Sequence, residues 1–270
     1  MQAAARAAEN EPVLLEALDN HVLRLTLNRP AQRNALSVGL MAALDQALDR
    51  ADEDRNVRVV IIAGAGPAFC AGHDLRELRG LPPDNRREAY QAVFAQCSAL
   101  MLKLVRLPKP VIAEVHGVAT AAGCQLVATC DLAVAAEDAR FATPGVDIGL
   151  FCSTPMVALT RAVGRKPAME MLLTGELIDA QTARSLGLVN RVVPRPKLTA
   201  AATALAGQIA AKSAFTVAIG KEAFYRQAEL DLAEAYRYAS EVMTRNMLAE
   251  DAAEGIDAFL AKRPPVWQDA

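Results

Sequence analysis

The chain has 270 residues, of which 53% are hydrophobic and 22% are charged, and its formal net charge at pH 7 is −2. This composition predicts a globular protein that is long enough to bury a large core. The near-neutral charge argues against a nucleic acid or an anionic membrane as partner, and no apolar run approaches the ~20 residues that span a bilayer.

The cysteines and histidines suggest neither a disulfide framework nor a metal site. The five cysteines include no CxxC pair and fall in apolar or helical segments, which indicates reduced thiols in a reducing compartment. The three histidines are dispersed without ligand spacing. The opening "MQAAARAAENEP" has no apolar core, so residues 1–11 are interpreted as a disordered extension and not as a leader peptide. We therefore expect a cytoplasmic protein.

Strand and helix patterns alternate over the first two thirds of the chain. In chain order the predicted elements are a half-buried strand at His21–Asn28, a helix capped by Ser37, a buried strand at Val57–Gly66, a helix from Arg86 to about Arg106, a buried strand in "PVIAEVHG", a helix at Ala121–Cys130 and a strand in "DLAVAAE". This alternation predicts an α/β fold with largely parallel strands.

The pattern changes after Pro194 and Pro196. From Leu198 to Leu260 only helical periodicity remains. We therefore place a boundary near residue 195, with a core at 12–195 and a helical region at 196–270.

Two glycine-marked turns follow buried strands, in "GPAFCAGHDL" and in "HGVATAAGCQL". Small residues let a substrate carbonyl approach the backbone closely, and a helix start supplies unpaired N–H donors. Two such donors at one carbonyl oxygen would form an oxyanion hole, in which one donor is worth roughly 3–4 kcal/mol. Ordinary α/β connections are the alternative interpretation of each turn.

These turns, with "LNRPAQRNALS" (Leu27–Ser37) upstream, resemble the crotonase superfamily, the enoyl-CoA hydratases and isomerases. The segments "FATPGVDIGL", "LTRAVG", "MEMLLTGELIDAQTARSLGLVNRVVP" and "AFLAKRPPVW" extend the resemblance over nearly the whole chain from about residue 12. "AAGCQLVATCD" and "GVDIGLFCSTP" are most similar to one branch of the superfamily, which is named for its fold more than for a known reaction.

The resemblance implies a crotonase (ClpP-like) spiral of ββα units, with a C-terminal helical region that assembles trimers, often paired into hexamers. It also implies a coenzyme A thioester as substrate, bound in a bent conformation, and no permanently bound cofactor. The peptide N–H groups of His73 and Ala122 would hold the thioester carbonyl. Further residues implied at the acyl-CoA site are Ala71 near the adenine, Asp74, Leu75 and Arg76 in the turn, and Arg29, Arg33 or a neighbouring subunit's Lys262 or Arg263 at the phosphates. Solvated surface charge is the alternative for each basic residue.

Hydratases of this superfamily hold a water molecule with two glutamates, and both positions differ in this sequence. The resemblance assigns them to Gln125 in "GCQL" and Gly145 in "TPGVDIG". An amide has no usable pKa, and glycine has no side chain. Losing one positioned acid or base typically costs about 10²–10⁴-fold in rate, so we expect little ordinary hydration.

Other side chains could replace the missing acids, and each has a structural alternative. His73 could turn its imidazole into the pocket or simply end a turn. Asp147 is favoured as a carboxylate that braces its loop. The remaining expectations are a buried inert thiol at Cys152, a helix-capping hydroxyl at Ser153, a paired carboxylate at Glu114 and a strand-end cap at His116. Phe259 and Trp267 are expected either to pack the trimer or the C-terminal arm or to contact the adenine.

The sequence thus predicts an acyl-CoA thioester-processing protein of the enoyl-CoA hydratase/isomerase type, in fatty acid or related acyl-CoA metabolism. A thioester enolate held by backbone donors would serve hydration, isomerisation, decarboxylation, retro-aldol cleavage or hydrolysis. The alternatives are a non-catalytic module that binds or sequesters acyl-CoA and a scaffold that acts through trimerisation alone.

Overall fold

A six-stranded sheet forms the centre of the fold in the computed structural model, which describes residues 12–269. The strands in chain order are β1 (Leu14–Asp19), β2 (Val22–Leu27), β3 (Val59–Gly64), β4 (Val111–Val115), β5 (Val118–Thr120), β6 (Leu132–Ala136), β7 (Arg140–Ala142), β8 (Ile178–Asp179) and β9 (Arg191–Val193). The main sheet has the order β1-β2-β3-β4-β6-β9, and only its β1–β2 pair is antiparallel. The predicted α/β fold with largely parallel strands is confirmed. The predicted disordered extension at 1–11 lies outside the described residues.

Helices connect the strands and are then the only regular elements from Leu198 to Leu260. In chain order they are α1 (Val38–Glu53), α2 (Leu75–Arg79), α3 (Arg86–Arg106), α4 (Ala122–Thr129), α5 (Ser153–Ala162), α6 (Arg165–Thr174), α7 (Ala180–Ser185), α8 (Leu198–Ala210), α9 (Ala214–Gln227), α10 (Leu232–Met247) and α11 (Glu250–Leu260). The cap predicted at Ser37 is confirmed, because its Oγ accepts from the Leu40 N–H at 3.1 Å. The helix predicted from Arg86 to Arg106 has those bounds.

The main sheet is covered on both faces, which explains the continuous apolar runs of β3 and β4. One face packs against α1, α3 and α4 in the larger of two buried clusters. The other carries Val59, Ile61 and Ile112 and packs against α8. Residues after 195 therefore complete the core, and the division of the chain near that residue stays a prediction.

A second sheet of three short strands, in the order β5-β7-β8, stands beside the main sheet. The sequence patterns did not predict it, because two or three residues are too few to display a strand period. β5 lies inside the segment that was interpreted as a turn before a helix, so α4 starts directly from this sheet. The peptide N–H of Ala121 donates to the carbonyl of Ala142 in β7 at 2.9 Å. The small sheet therefore fixes where α4 begins.

The C-terminal helices leave much apolar surface uncovered. No residue of α10 is buried, although its apolar side chains include Leu232, Tyr236, Met243 and Met247 at 52–75% exposure. Among residues 12–269, no single helix is long and apolar enough to cross a membrane. The segments Arg195–Ala210 and Ala214–Gln227 meet that criterion only as a pair, bent by 103°.

Candidate active site

A cavity of about 560 Å³ lies where three segments of the fold meet. They are the turn after β3, the start of α4, and the loop that runs from β7 into α5. Its lining residues are mainly apolar: Ala71, His73, Leu75, Leu78, Phe94, Ala121, Ala122, Pro144, Gly145, Asp147, Ile148, Leu150, Phe151, Cys152, Ser153, Thr154 and Pro155. The two glycine-marked turns therefore border one cavity, together with the loop that holds Gly145.

The two turns touch without room for a side chain between them. A Cβ added at Gly72 would lie 2.9 Å from the Cβ of Ala121 and 3.3 Å from the peptide nitrogen of Ala122. Gly72 also has a φ of 95°, which L side chains rarely adopt. Glycine at this position therefore brings the residue after it close to the start of α4.

Hydrogen bonds hold this turn on both sides of His73. The N–H of Leu36 donates to the carbonyl of Gly72 at 2.7 Å, and the N–H of Asp74 donates to the carbonyl of Leu36 at 3.1 Å. The peptide N–H of His73, between these two bonds, has no acceptor among residues 12–269. The backbone at His73 is thus fixed while its own donor remains unused.

The peptide N–H of Ala122 is the second unused donor. Ala122 is the first residue of α4, so no helical carbonyl precedes it to accept its hydrogen bond, and no other acceptor is found within the described chain. Ala121 before it has φ 50° and ψ −118°, a combination that is strained for a residue with a Cβ. Such strain, of order 1–3 kcal/mol, tends to occur at functional sites, where the surrounding structure maintains it.

The imidazole of His73 packs against Phe94 of α3, and both residues line the cavity. It contacts Phe94 edge-on, with 5.6 Å between ring centroids and 79° between ring planes. Both ring nitrogens are buried, and neither has a hydrogen-bond partner within the described residues. Burial lowers the pKa of His73 below its ordinary 6.5, and the nearby carbonyl of Leu36 offsets only part of this shift. The imidazole is therefore neutral at pH 7.

Gln125, in the first turn of α4, is not among the residues that line the cavity. It is buried, with 4% of its surface exposed. Its side-chain Oε1 finds no donor in the part of the chain that the structure describes. Thr143, just before the loop that holds Gly145, has a buried Oγ1 that is likewise without a partner. Two buried polar groups near the start of α4 and the loop are thus left unsatisfied, which is uncommon in folded proteins.

Gly145 has no space for a side chain. A Cβ added there would lie 2.8 Å from the carbonyl oxygen of Leu150 and 2.9 Å from the Sγ of Cys152. The Cys152 thiol thus occupies the direction in which a residue at 145 would extend. Burial raises the pKa of this thiol, and a hydrogen bond with the Gly145 backbone lowers it only in part. The expected burial of this thiol is confirmed, and its inertness stays a prediction.

Asp147 and Ser153 differ from their expected roles. Asp147 is exposed at the cavity rim, and both its carboxylate oxygens lie beside Gly175. None of the hydrogen bonds within residues 12–269 involves that carboxylate, so the expected bracing of its loop is not found. Ser153 was expected to cap a helix, but it is the first residue of α5, and its hydroxyl donates to the Phe151 carbonyl at 3.3 Å.

The charged side chains predicted for the CoA phosphates fall into two groups. Arg29 is engaged within the fold, because it donates to Asp74 at 2.9 Å and to the Ala35 carbonyl at 2.6 Å. Burial alone would raise the pKa of Asp74, but hydrogen bonds from Arg29 and from two peptide N–H groups of α2 hold it below its ordinary value. Arg33 and Arg76 are exposed, and their guanidinium groups have no partner in the described range.

Arg33 does not line the cavity, but its carbonyl accepts from the N–H of Ala71, a lining residue, at 3.0 Å. Leu75, 51% exposed, stands at the cavity mouth. Lys262 follows α11 and is not among the cavity-lining residues of its own chain. Its contribution to a neighbouring subunit's site stays a prediction.

Several other expectations concern residues that the structure places away from the cavity. Glu114 is the paired carboxylate that was expected, bound to Arg24 at 2.5 Å and to Thr199 at 2.8 Å. The Nε2 of His116 lies 2.9 Å from the carbonyl oxygen of Gly66, just beyond β4. Trp267 binds the C-terminal arm to the chain, because its Nε1 donates to the Ala211 carbonyl at 2.9 Å. No cluster of three or more potential metal ligands occurs in the described residues.

The motifs did not identify the apolar wall of the cavity. Leu78 and Phe94 come from α2 and α3, and Ile148, Leu150 and Phe151 come from the loop. Ile148 and Leu150 are more than half exposed. The run of apolar residues "IGLF" in a loop was the available signal, because large apolar side chains in a loop commonly mark a binding surface.

Comparisons with known proteins agree with this geometry. Residues 17–270 match the model of the family "Enoyl-CoA hydratase/isomerase". The enoyl-CoA hydratase domain-containing protein 3, mitochondrial, of Rattus norvegicus is 47% identical over 260 residues, which are 96% of this chain and 86% of that protein. This is the branch to which the sequence motifs are most similar.

Solved structures give the same result. A crystal structure of enoyl-CoA hydratase from Mycobacterium smegmatis is 55% identical, with a TM-score of 0.92, over 95% of this chain and 99% of that one. Human enoyl coenzyme A hydratase domain-containing protein 3 is 44% identical, with a TM-score of 0.91, over 95% of this chain and all of that one. The predicted crotonase fold is therefore confirmed.

The predicted cytoplasmic location is wrong by the same comparisons. The relatives from rat, frog and human are all named as mitochondrial proteins. A near-neutral composition with reduced cysteines does not distinguish the cytoplasm from other reducing compartments. From the family model, the relatives and the solved structures together, the chain belongs to the enoyl-CoA hydratase/isomerase family.

Proposed function

We propose that this chain processes acyl-CoA thioesters by stabilising a thioester enolate with the peptide N–H groups of His73 and Ala122. The observation that carries the proposal is the pair of unused donors at the point where two turns touch beside an apolar cavity. The thioester carbonyl accepts from both donors, and the acyl chain occupies the cavity. Phosphates of the CoA bind Arg33 and Arg76 at the edge that Ala71 borders.

Backbone donors explain how this chemistry can remain after the usual acids are lost. Removing one oxyanion donor typically costs about 2.7–4 kcal/mol in other enzymes. These interactions are stronger where water is excluded, as in an apolar cavity. Neither donor depends on the side chain of Ala122, Gln125 or Gly145, so the substitutions at 125 and 145 leave the enolate site in place.

Hydration by two acids is not part of the proposed function. Gln125 offers an amide that cannot serve as a general acid or base near neutral pH, and Cys152 occupies the space beside Gly145. The reactions that remain are those that need an enolate and few proton-transfer groups. Isomerisation, decarboxylation and retro-aldol cleavage have this character, whereas hydrolysis would use the same two donors for a tetrahedral oxyanion.

A second candidate function is acyl-CoA binding or sequestration without turnover. The filled space at Gly145 favours it, because no acid is available there. The two unused N–H donors favour the enzyme, since simple binding of a CoA thioester does not require an oxyanion hole. Measured turnover decides between the two.

We also propose that the chain forms a homotrimer, or a pair of trimers, through the C-terminal helices. Support comes from α10, which has no buried residue and exposes apolar side chains along its length. Light scattering at increasing protein concentration tests this assembly. A monomer at every concentration would contradict it.

The test of the proposed function compares three ligands by calorimetric titration: octanoyl-CoA, its thioether analogue without the carbonyl oxygen, and free CoA. Each lost hydrogen bond costs about 0.5–1.5 kcal/mol, so loss of two should weaken thioether binding by roughly 5- to 150-fold. Free CoA should bind more weakly than octanoyl-CoA because it leaves the apolar cavity empty. Equal affinity for thioester and thioether would overturn the two-donor arrangement, and no binding of octanoyl-CoA would overturn the function.

A further inference from the structure

The direction of the His73 peptide N–H is set at the other end of the same peptide group. The bond between Gly72 and His73 is trans, so its C=O and N–H point in opposite directions within one plane. The Gly72 carbonyl accepts from the N–H of Leu36 at 2.7 Å. The His73 N–H therefore points away from Leu36, a buried residue that does not line the cavity. The contacts that hold Leu36 in place also orient this donor.

Arg29 connects the chain on both sides of this pairing. From Nη1 it donates to the carbonyl of Ala35, the residue before Leu36, at 2.6 Å. From Nη2 it donates to the carboxylate of Asp74, the residue after His73, at 2.9 Å. A guanidinium can make both bonds at once because its donors diverge in a rigid, planar fork. One side chain thus holds the two segments of the turn at a set spacing.

The Asp74 carboxylate extends this connection into α2. Its Oδ2 accepts from Arg29, while its Oδ1 accepts from the peptide N–H groups of Arg76 at 3.1 Å and Glu77 at 3.3 Å. The ion pair is largely buried, with 18% of the Arg29 side chain and 13% of the Asp74 side chain exposed. Hydrogen bonds between charged partners are stronger than neutral ones, and burial reduces their screening by salt. The pair therefore resists displacement of the turn.

Asn34 fixes the backbone from which the Arg29 side chain extends. It is fully buried in the fold. Its Oδ1 accepts from the peptide N–H of Arg29 at 2.8 Å, and its Nδ2 donates to the carbonyls of Ala65 at 2.9 Å and Ala68 at 2.8 Å. The Arg29 backbone is thus anchored to the turn after β3 without help from its own side chain. A change of the guanidinium alone therefore leaves this anchor in place.

Resting on the proposed function, we propose that Arg29 and Asp74 form a positioning pair, which orients the His73 peptide N–H toward the oxygen of the bound thioester. Neither residue lines the cavity, and each charge is engaged by the other. This role replaces the contact with a CoA phosphate that the sequence suggested for Arg29. The pair acts on the donor geometry, so it affects binding of the thioester carbonyl and leaves binding of the rest of CoA unchanged.

The test compares affinities for a thioester and a thioether, because only the thioester has an oxygen for the donor. Octanoyl-CoA, its thioether analogue and free CoA are titrated by calorimetry into wild type, Arg29→Lys, Asp74→Asn and the double variant. Arg29→Lys keeps the charge without the planar fork. Asp74→Asn removes the countercharge but keeps the volume and an oxygen for the start of α2, so it remains informative if Arg29→Lys does not fold. The matched control is Arg50→Gln, which removes an exposed ion pair with Glu16 outside the cavity.

In both single variants we expect the preference for thioester over thioether to fall by about 2- to 12-fold as one of the two hydrogen bonds weakens. Affinity for free CoA should stay within about twofold of wild type, because the contacts of CoA outside the carbonyl are unchanged. The two changes should not add in the double variant, because each breaks the same pair. The ¹³C carbonyl band of bound octanoyl-CoA should shift less in the variants than in wild type. Arg50→Gln should match wild type in every measurement.

The outcomes separate this inference from the proposed function. If wild type prefers the thioester and folded Arg29→Lys or Asp74→Asn keeps the full preference, the positioning pair is overturned while the proposed function stands. Equal losses of affinity for free CoA and octanoyl-CoA in Arg29→Lys would overturn it as well, because that pattern marks a phosphate ligand. If wild type itself binds thioester and thioether equally, the proposed two-donor site fails.

Discussion

At Gly145 the loop leaves no space for the side chain of an acid. Adding one methyl group at this position tests that interpretation. In Gly145→Ala the new Cβ would lie 2.8 Å from the Leu150 carbonyl oxygen and 2.9 Å from the Cys152 Sγ. Favourable contacts between nonbonded carbon atoms are at about 3.5–4.0 Å, so the loop must move. Overpacking costs typically about 1–3 kcal/mol, and each kcal/mol shifts the Tm of a chain of this size by about 2–4 °C. We therefore expect Gly145→Ala to lower the Tm by roughly 2–12 °C.

A double-mutant cycle tests whether the loss of stability in Gly145→Ala comes from contact with the Sγ of Cys152. Cys152→Ala removes the Sγ, and in Gly145→Ala/Cys152→Ala the new methyl occupies part of the vacated space. The double variant should be about 0.5–3 kcal/mol more stable than the sum of the single changes, although contact with the Leu150 carbonyl remains. Free energies of unfolding from urea titrations followed by circular dichroism provide the measurement.

The matched control is Gly207→Ala in the middle of α8, where an added Cβ meets nothing within 4 Å. It should stabilise the protein by roughly 0.5–1 kcal/mol, because alanine favours a helix over glycine. The reasoning is refuted if Gly145→Ala is as stable as wild type. It is also refuted if the two changes at 145 and 152 add within about 0.3–0.5 kcal/mol.

Three further predictions concern stability, pH and affinity. Lys221→Met should cost about 3–5 kcal/mol in urea unfolding, because it leaves Asp131, its partner at 2.7 Å, as a largely buried charge without a countercharge. The free energy of unfolding of wild type should fall relative to that of His73→Phe as the pH drops below about 6.5. The reason is that the unfolded chain binds a proton at His73 in this range, whereas the folded chain binds it only at lower pH. A difference between the two proteins that does not change with pH would contradict the buried neutral ring. Arg33→Gln should weaken octanoyl-CoA binding by about two- to fivefold in low salt and less in high salt, whereas the control Arg55→Gln should not change it.

The sequence predicted two long helices of the core well, but it missed the strand β1 and the helices α5 and α6. The helix at Arg86–Arg106 and the capped helix after Ser37 have long periodic patterns or a side-chain cap, and both were placed correctly. The strands β5, β7 and β8 were missed because they contain two or three residues and form only through pairing with distant segments. Short strands of this kind are specified by tertiary structure more than by local pattern.

The site was predictable in its backbone and less so in its side chains. His73, Ala122 and Gly145 do line one cavity, as their glycine-rich surroundings indicated, while their chemical roles remain proposals. Gln125, which the resemblance assigned to the site, does not line the cavity, because a position in a motif does not determine how deeply its side chain is buried. The contact between Gly145 and Cys152 depends on how the intervening loop turns back, which no local pattern encodes.

Polarisation of the thioester carbonyl is the most direct test of the central claim, that two peptide N–H groups hold the substrate oxygen. The measurement is isotope-edited infrared spectroscopy of octanoyl-CoA labelled with ¹³C at the carbonyl, free in buffer and bound to the protein. Two hydrogen bonds from fixed donors lengthen the C=O bond, so the account predicts a shift of the carbonyl band to lower frequency on binding. A band that stays at its free position, under conditions in which titration shows the thioester fully bound, would contradict the account.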